Sequence, residues 1–459
     1  MTRCSIVPPH VLAALARSDR PGPALVAART LAIDASLRHE RLPAGPRPTI
    51  APPVRQEVAG PQRTIHDARG GEELPGEVVR VEGGPATGDP AADEAHDGLG
   101  LTWQLWAQEY GRDSLDGAGM PLVATVHYAE QYDNAFWNGE QMVFGDGDGE
   151  TFGRFTASLD VIGHELAHGV TEHTAGLVYR GQPGALNEHV SDVFGVLVKQ
   201  RHLDQSADEA DWLIGAELLL PAVQGSALRS MAAPGTAYDD PRLGRDPQPA
   251  HMDDFVRTSD DNGGVHINSG IPNKAFHLVA TTIGGPAWQA PGLIWRDVLL
   301  GEISADCDFA TFADLTLAAA TDRYGRDSAE AAAVADAWRQ VGVTTAGEGG
   351  APIPSREQPE PVDGAADAAL RLTRTGGVAG LTRTRELTLG ELPEPDARAF
   401  RSLIEGPQLP RLADEAPPRP DAFCYGLSCE RPELDVQVAE AALPQATRRL
   451  FERTLRREG

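Results

Sequence analysis

Two proline-rich segments are the features that most restrict how the 459-residue chain can fold. Residues 43–62, PAGPRPTIAPPVRQEVAGPQ, and residues 345–366, TAGEGGAPIPSREQPEPVDGAA, contain more proline and glycine than helices or central strands tolerate. Both segments are therefore predicted to be exposed linkers. They divide the chain into a short N-terminal piece, a long central part and a C-terminal module.

The central part changes character near residue 158. Between residues 63 and 158, short strand-like runs alternate with turns, and one helix is predicted over roughly Pro90–Tyr110. Beyond this point the apolar spacing is mostly helical and predicts helices over 159–175, 187–203, 210–220, 272–282, 291–303, 310–324 and 329–340. The C-terminal module is predicted to be a small α/β domain, with strands around ALRLTRTGG and ELDVQVAEA and helices near 396–405 and 444–455.

The composition excludes several functional classes. With 40 basic and 67 acidic residues the chain carries a net charge of −27, which argues against nucleic acid or an anionic membrane as a partner. No apolar run approaches the roughly 20 residues needed to span a bilayer. The N-terminal residues contain no recognisable secretory signal, so we expect a cytoplasmic protein or one exported by a non-classical route.

The stretch DVIGHELAHGV, residues 160–170, places two histidines four residues apart, with a glutamate directly after the first. On an α-helix His164 and His168 point the same way, so both can direct a ring nitrogen at one metal ion. The pattern is short. Taken alone, it is equally compatible with an ordinary amphipathic helix.

A second stretch, GALNEHVSDVFGVLV, offers a third metal ligand. Glu188 and Asp192 lie four residues apart on one face of a predicted helix that is rich in valine and leucine. Buried carboxylates are costly unless they are paired or bound to metal. This favours Glu188 as the ligand and Asp192 as the acceptor of a histidine's other N–H. A solvated helix face is the alternative for both residues.

A third stretch, DNGGVHINSG, has a tight Gly-Gly turn followed by His266 in an apolar setting. A lone histidine of this kind is more often a core residue than a catalytic one. The order of the three stretches along the chain, however, favours a catalytic role for His266.

Together the three stretches resemble those of the thermolysin-like zinc metallopeptidases. The resemblance extends from about residue 85 to 344 and also includes NAFWNG (134–139), FGDGDG (144–149), TAGLVYR (174–180) and LRSM (228–231). It implies an α+β fold of two lobes, β-rich over 61–158 and helical over 159–344, with the zinc helix between them. SIVPPHVL (5–12) is similar to the propeptide of the protealysin type, which implies that residues 1–60 are a short propeptide and Pro-rich linker.

The C-terminal module has a resemblance of its own. LRLTRTGGVAGLTRTRELTLGEL (370–392) and PDAFCYGLSC (420–429) are similar to emfourin, a small protein inhibitor of protealysin-like enzymes. This implies that residues 367–459 form an inhibitory domain fused to its target through the linker 345–366. An appended binding domain that never touches the active site is the alternative.

The resemblance to the peptidases implies a role for each residue of the site. His164, His168 and Glu188 would hold one Zn²⁺, with Glu165 as the general base. Three further residues would stabilise the oxyanion and orient its donors: Tyr179, His266 and Asp261.

Substrate-binding residues follow from the same resemblance. Asn134 and Arg229 would hold the substrate backbone, and Ala135 and Trp137 would lie on an edge strand to which an extended peptide adds. The pocket for the residue after the cleaved bond would be formed by Phe152, Phe155, Val161, Leu218 and Leu228. All five are apolar, which predicts a preference for a bulky hydrophobic residue at that position.

One departure from the family concerns calcium. Thermolysin carries a double calcium site beside the zinc helix, and Asp160 and Asp211 fit ligand positions in it. Lys199, however, occupies a place where the family uses glutamate, and Leu213 and Ala216 replace two further acids. Because an ammonium group repels Ca²⁺, we predict that the double calcium site is absent.

The expected function is a zinc endopeptidase made as a zymogen. It would act on protein or peptide substrates and be regulated by its propeptide and by a tethered inhibitory domain. The alternative is a regulatory or binding protein whose peptidase is held inactive by the C-terminal module. A degenerate, inactive peptidase is disfavoured because the metal ligands, the base and the oxyanion group are all present.

Overall fold

The computed structural model describes residues 4–37, 60–344, 369–375, 382–415, 423–430 and 433–456. The chain forms two compact units. The larger contains Cys4–Pro8 and Ala44–Ala351, and the smaller contains Met1–Arg3, Pro9–Pro43 and Pro352–Gly459. The predicted linkers lie outside the described residues, apart from residues 60–62.

The α-helices in the described ranges are α1 (Pro9–Ala16), α2 (Pro21–Leu37), α3 (Pro90–Gln104), α4 (Leu159–Glu172), α5 (Gly181–Leu203), α6 (Asp261–Asn268), α7 (Gly270–Ile283), α8 (Ala290–Leu300), α9 (Phe309–Tyr324), α10 (Ala329–Gln340), α11 (Glu394–Glu405), α12 (Gln408–Glu415) and α13 (Gln445–Arg456). The strands in the same ranges are β1 (Cys4–Ser5), β2 (Arg63–Asp67), β3 (Glu77–Val81), β4 (Leu122–Val126), β5 (Ala135–Trp137), β6 (Met142–Phe144), β7 (Leu213–Ile214), β8 (Arg229–Ser230), β9 (Asp239–Asp240), β10 (Gly244–Arg245), β11 (Ala369–Thr375), β12 (Arg383–Thr388), β13 (Cys424–Glu430) and β14 (Glu433–Ala439). None of the described helices is long and apolar enough to cross a membrane.

The N-terminal part of the larger unit is a six-stranded sheet in the order β1-β5-β6-β4-β2-β3. Strand β4 runs parallel to both β2 and β6, and the other pairs are antiparallel. Helix α3 packs against this sheet. It begins where Asp89 Oδ1 accepts the Ala91 N–H at 3.0 Å and Pro90 occupies the first helical position, two features that favour helix initiation.

Helices α4 and α5 approach each other closely because glycine occupies both sides of their contact. A Cβ atom on Gly163 would lie 3.0 Å from the Cα atom of Gly195. A Cβ atom on Gly195 would in turn collide with the Asp160 carbonyl oxygen. The absence of these two side chains brings together the helix faces that carry the predicted metal ligands.

The helical part of the larger unit is built on aromatic packing. Trp295 and Trp338 stack with ring centroids 6.4 Å apart, and Phe276 packs edge-on against Trp295 at 4.8 Å. These side chains join α7, α8 and α10 into one core. A β-rich part followed by a helical part confirms the predicted two-lobed α+β fold.

The structure corrects one predicted helix and moves the ends of others. Residues 210–220 do not form a helix, because Trp212 (φ 57°) and Gly215 (φ 69°) adopt left-handed backbone conformations that interrupt a right-handed helix. They instead flank β7, which pairs with β8 and so holds Arg229. Helix α5 begins earlier than predicted, at Gly181, and α3 gives way to a π-helical turn over Leu105–Glu109.

The smaller unit combines the helical hairpin α1–α2 with the C-terminal module. The module is a four-stranded antiparallel sheet in the order β12-β11-β13-β14, together with helices α11, α12 and α13. Phe400 stacks on Phe451 with centroids 5.5 Å apart, and Tyr425 contacts the latter at 5.6 Å. The two strands and two helices predicted for this module are present, whereas β12, β13 and α12 were not predicted.

Candidate active site

Three buried side chains of α4 and α5 converge at one point. His164, His168 and Glu188 each place one ligand atom within 4.8 Å of the others, and they are the one such group found among the described residues. The Nε2 atoms of the two histidines lie 3.1 Å apart, and the Glu188 carboxylate oxygens lie 3.6 Å from each of them. The geometry follows from the four-residue spacing of the histidines and the close approach of the two helices.

Hydrogen bonds at the other ring nitrogens fix the tautomers of both histidines. His164 Nδ1 donates to Asp192 Oδ1 at 2.8 Å, and His168 Nδ1 donates to Asn187 Oδ1 at 2.7 Å. Burial lowers the pKa of His168 to about 4, which keeps its imidazole neutral. The two Nε2 lone pairs therefore face each other and a carboxylate, an arrangement that repels unless a cation lies between them. Two imidazoles and a carboxylate are a donor set that zinc takes in catalytic sites, so these residues fit the metal.

Asp192 is held by a buried network of its own. Arg229 donates to it from Nε at 3.0 Å and from Nη2 at 2.7 Å, and Asn273 Nδ2 donates at 2.8 Å. Burial alone would raise the pKa of Asp192, but the Arg229 charge and the His164 hydrogen bond outweigh it and lower that pKa. Asp192 is therefore ionised and orients the His164 ring.

Glu165 lies beside the metal ligands without joining them. It is fully buried, and its Oε2 accepts the backbone N–H of Trp137 at 2.9 Å. Burial raises the pKa of its carboxyl well above the usual range, and the Glu188 charge acts in the same direction. A cation held by the three ligands would act in the opposite direction. The carboxyl is thus positioned to exchange a proton at the metal site.

Tyr179 and His266 supply hydrogen-bond donors on the other side of Glu188. The Tyr179 hydroxyl donates to Glu188 Oε1 and lies 3.3 Å from His266 Nε2. Asp261 Oδ1 accepts from His266 Nδ1 at 2.7 Å, and its Oδ2 accepts the His266 backbone N–H at 2.9 Å. Burial opposes protonation of His266, but the charges of Asp261 and Glu188 more than offset it, so its pKa is raised.

The backbone conformation of residues 262–264 makes the hydrogen bonds between Asp261 and His266 possible. Asn262, Gly263 and Gly264 all adopt positive φ, at 53°, 90° and 73°. The resulting tight turn at the start of α6 brings Asp261 back against His266. Glycine adopts such a conformation without steric cost, which explains the Gly-Gly pair in this stretch.

The chain's own residues Ser5–Val7 lie across the predicted substrate-binding residues. Strand β1 pairs antiparallel with β5, and the Ile6 N–H donates to the Ala135 carbonyl at 3.1 Å. The Asn134 side-chain amide binds both backbone groups of Val7. Its Oδ1 accepts the Val7 N–H at 2.9 Å, and its Nδ2 donates to the Val7 carbonyl at 3.3 Å. Edge-strand addition of this kind is how extended peptides bind exposed sheet edges.

Two more groups of the site contact carbonyls of this segment. Arg229 Nη1 donates to the Ile6 carbonyl at 3.1 Å, and His266 Nε2 donates to the Ser5 carbonyl at 3.1 Å. The Ser5 carbonyl therefore lies where the predicted oxyanion donor can reach it, and Ile6 is the residue that follows it. Ile6 is fully buried.

The five predicted pocket residues are all buried, and four of them form two pairs. Phe152 and Phe155 pack with ring centroids 6.0 Å apart. Leu218 and Leu228 both lie against Gly215, where an added Cβ would come within 3.2 Å and 3.1 Å of their Cδ1 atoms. Val161 is fully buried on α4, three residues before His164.

Lys199 contacts both aspartates that fit calcium-ligand positions of the thermolysin-like family. Its Nζ donates to Asp160 Oδ2 at 2.9 Å and lies 3.1 Å from Asp211 Oδ1. Asp160 is fully buried, and its charge is balanced by the ammonium group.

Sequence reasoning missed several polar partners of the site. Asn187 and Ser191 both contact His168 Nδ1, and Asn273 joins Asp192 to His189 through bonds of 2.8 Å on each side. Asn187 directly precedes Glu188, so its place in the ligand block was an available signal. Asn273 is far away in the sequence, and only the packing of α7 on α5 brings it close.

Comparison with known proteins places these residues in a family. Residues 66–172 match the family described as thermolysin metallopeptidase, catalytic domain, and residues 175–343 match its alpha-helical domain. Residues 372–455 match the emfourin family.

Individual relatives cover most of the chain. An extracellular metalloprotease of Pectobacterium carotovorum subsp. carotovorum is 48% identical over 350 residues, which is 74% of this chain and 96% of the relative. Protease PrtS of Photorhabdus sp. (strain Az29) is 52% identical over 284 residues, covering 61% of this chain and 76% of its own. The precursor of protealysin, a metalloproteinase from Serratia proteamaculans, has a similar structure, with a TM-score of 0.66, 50% identity and coverage of 74% of this chain and 100% of its own.

Proposed function

The chain belongs to the thermolysin metallopeptidase family, and on that premise we propose that it is a zinc endopeptidase made as a zymogen. It would cleave peptide bonds before bulky hydrophobic residues, with a C-terminal module that restrains its activity. The observation that carries this proposal is the segment Ser5–Val7, which lies across Asn134, Arg229 and His266 as a peptide substrate would.

The residues of the site divide the catalytic work among them. His164, His168 and Glu188 would hold the zinc ion, which would act as a Lewis acid and lower the pKa of a water molecule toward about 7. Glu165 takes a proton from the attacking water and passes it to the leaving nitrogen. His266 and Tyr179 donate hydrogen bonds to the carbonyl oxygen on which negative charge develops, and Asp261 keeps the imidazole protonated.

Asn134, Ala135 and Arg229 fix the substrate backbone.

The buried side chain of Ile6 supports the proposed specificity. It follows the carbonyl that His266 contacts, so it corresponds to the residue after a cleaved bond. Phe152, Val161 and Leu228, which the family resemblance assigns to the pocket for that residue, are apolar and buried, as a pocket for a large hydrophobic side chain requires. We therefore propose that Leu, Ile or Phe is preferred at this position.

The segment Ser5–Val7 also supports a zymogen form. As long as it occupies the edge of β5, a substrate cannot pair with that edge. We propose that cleavage within residues 43–62, followed by release of the N-terminal segment, activates the enzyme. The alternative, a binding protein whose peptidase stays shut, has the same contacts and differs only in whether release occurs.

We propose further that the double calcium site of thermolysin is absent. The contacts of Lys199 with Asp160 and Asp211 support this, since the ammonium group takes the place that a cation would occupy.

A cleavage assay tests the main proposal. The full chain, a Glu165→Gln variant and a chain ending at Thr345 would be compared on a quenched peptide with Leu after the scissile bond, each with and without a zinc chelator. Intact mass would report whether the propeptide has been removed. Chelator-sensitive cleavage that Glu165→Gln abolishes, and that truncation increases, supports a restrained endopeptidase. No cleavage by any processed, zinc-loaded chain would refute the peptidase function.

A matched peptide with Asp in place of Leu tests the specificity. We expect its kcat/KM to be at least about a hundredfold lower, because the pocket would have to bury an unpaired carboxylate. Equal rates for the two peptides would contradict the apolar pocket.

A further inference from the structure

The hairpin α1–α2 shares a hydrophobic core with the C-terminal module. Ala32 and Ala35 of α2 belong to the same cluster of buried apolar side chains as Leu403, Leu409 and Phe451 of the module. Leu25, also on α2, packs against this cluster while remaining partly exposed. Residues separated by more than 350 positions in the sequence thus contribute to one core.

The burial of α2 explains why this helix must pack against the C-terminal module as well as against α1. Its residues 30–36 are all buried, so no face of this part of the helix is left to solvent. A helix buried on every side must be covered by more than one neighbour. Helix α1 packs on α2, and α11, α12 and α13 of the module contact it as well. The alanines at positions 32 and 35 allow these helices to approach closely.

Polar contacts give this packing a defined register. The Arg411 guanidinium of α12 donates to the Ala16 carbonyl at 3.2 Å and to the Ser18 carbonyl at 2.9 Å, at the C-terminal end of α1. Carbonyls at a helix end have no partner within the helix and favour a cation. Arg411 supplies both hydrogen-bond donors and a positive charge to these carbonyls.

A second polar contact is fully buried. Thr447 Oγ1 of α13 donates to the Ala32 carbonyl at 3.2 Å and lies 3.2 Å from Ser36 Oγ. Thr447 is 0% exposed and Ser36 is 2% exposed, so both hydroxyls are removed from water, and both lie within hydrogen-bond distance of the Ala32 carbonyl, Ser36 Oγ at 3.0 Å. A module that did not bind α2 would have no reason to place a buried hydroxyl opposite Ser36 and the Ala32 carbonyl.

We propose that the C-terminal module is a receptor for the chain's own propeptide, and that its ligand is the hairpin α1–α2. Only Pro8 separates the segment Ser5–Val7 from α1, so the segment and the hairpin are one continuous peptide. Cleavage within residues 43–62 then leaves a propeptide that the module still holds. The module would set how long the propeptide remains associated after the cut. This inference rests on the proposed zymogen form, but binding of the hairpin by the module can be tested without peptidase activity.

A capture experiment tests it. The full chain would carry Glu165→Gln, an affinity tag after Gly459 and recognition sites for one specific protease within residues 43–59 and 346–366. After both cuts, the tagged C-terminal fragment is captured in the presence of an excess of a zinc-directed peptide hydroxamate, which competes for the substrate-binding residues. Mass spectrometry then measures the ratio of N-terminal fragment to captured fragment. We expect a ratio near one.

Variants on both partners make the test specific. Arg411→Ala combined with Thr447→Val, and separately Ala35→Arg on the hairpin, should each lower the retained N-terminal fragment by at least about tenfold. Arg371→Ala is the control, because this arginine is exposed and pairs with Glu386 on the sheet. Circular dichroism of the captured fragment would verify that the module remains folded.

Three results would overturn the proposal. One is loss of the N-terminal fragment from the unmodified captured fragment. Another is an N-terminal fragment that elutes with the peptidase fragment alone. The third is retention that the interface variants leave unchanged.

Discussion

Arg229 donates to Asp192 from Nε at 3.0 Å and from Nη2 at 2.7 Å, while its Nη1 donates to the Ile6 carbonyl at 3.1 Å. One buried guanidinium therefore balances the carboxylate that orients His164 and also binds a peptide backbone. Metal-ligand orientation and peptide binding depend on the same side chain.

Replacing Arg229 with lysine should lower kcat/KM by roughly 10- to 100-fold. A lysine ammonium cannot donate a bidentate pair to Asp192 and a third bond to a peptide carbonyl in the same geometry. Steady-state cleavage of the Leu-containing quenched peptide by the processed enzyme measures the effect. Arg201→Lys is the control, because Arg201 pairs with the partly exposed Glu109. Wild-type kcat/KM in Arg229→Lys would show that the bidentate geometry is not required.

Replacing Gly195 with alanine should weaken zinc binding by at least about tenfold. The added Cβ would collide with the Asp160 carbonyl and force α5 away from α4, which separates Glu188 from the two histidines. Titration of the Glu165→Gln protein against a competing chelator measures zinc affinity without self-cleavage. Gly153→Ala is the matched control, since its new Cβ would make only an ordinary 3.6 Å contact with Leu220. Equal affinities for the two variants would mean that the helices adjust without moving the ligands.

Replacing Lys199 with methionine should destabilise the protein by roughly 3 to 5 kcal/mol. Asp160 is fully buried and would lose the ammonium that balances its charge. Urea unfolding of the Glu165→Gln protein with and without Lys199→Met measures the change. Recovery of stability in millimolar calcium would show that these carboxylates retain a cation site and would count against its proposed absence.

His127 should make stability depend on pH in the mildly alkaline range. Its hydrogen bond with Asp146, assisted by Asp89, raises its pKa from 6.5 to about 9. The folded state binds this proton more tightly than the unfolded state, so the stabilisation is complete below pH 6.5 and is lost as the pH rises through 9.

The matching measurement compares urea midpoints of the parent protein and a His127→Gln variant across this range. The difference between them should be largest below pH 6.5, should shrink as the pH rises from 6.5 to 9, and should be small above pH 9. His202→Gln, at an exposed position near the end of α5, controls for a generic histidine effect. A difference that does not change with pH would rule out the charged bridge.

The parts of the site that the sequence predicted are those determined within single helices. His164 and His168 share a face of α4, and Glu188 and Asp192 share a face of α5, because each pair is four residues apart. The apolar periodicity of the helical part likewise predicted most of its helices. A resemblance between blocks was needed to connect these helices, because spacing within a helix does not specify its neighbour.

The parts that were missed depend on tertiary contacts or on backbone conformation. Asn273 reaches Asp192 only because α7 packs on α5. Residues 210–220 have helical composition, but Trp212 and Gly215 adopt left-handed conformations that allow β7 to pair with β8. No local pattern in α2 indicates that its partner lies in the C-terminal module.

The buried bond between Ser36 and Thr447 joins residues 411 positions apart, which has a consequence for the order of synthesis. The ribosome produces α2 first and α13 only after every residue of the peptidase lobes. During translation, the alanine-rich surface of α2 therefore lacks the apolar side chains of the module that pack on it. It stays without them until the module has emerged from the ribosome. A ribosome that stops early would release a peptidase with its propeptide but without the partner for that surface. Completion of the core around α2 thus distinguishes a chain that carries the C-terminal module from one that lacks it.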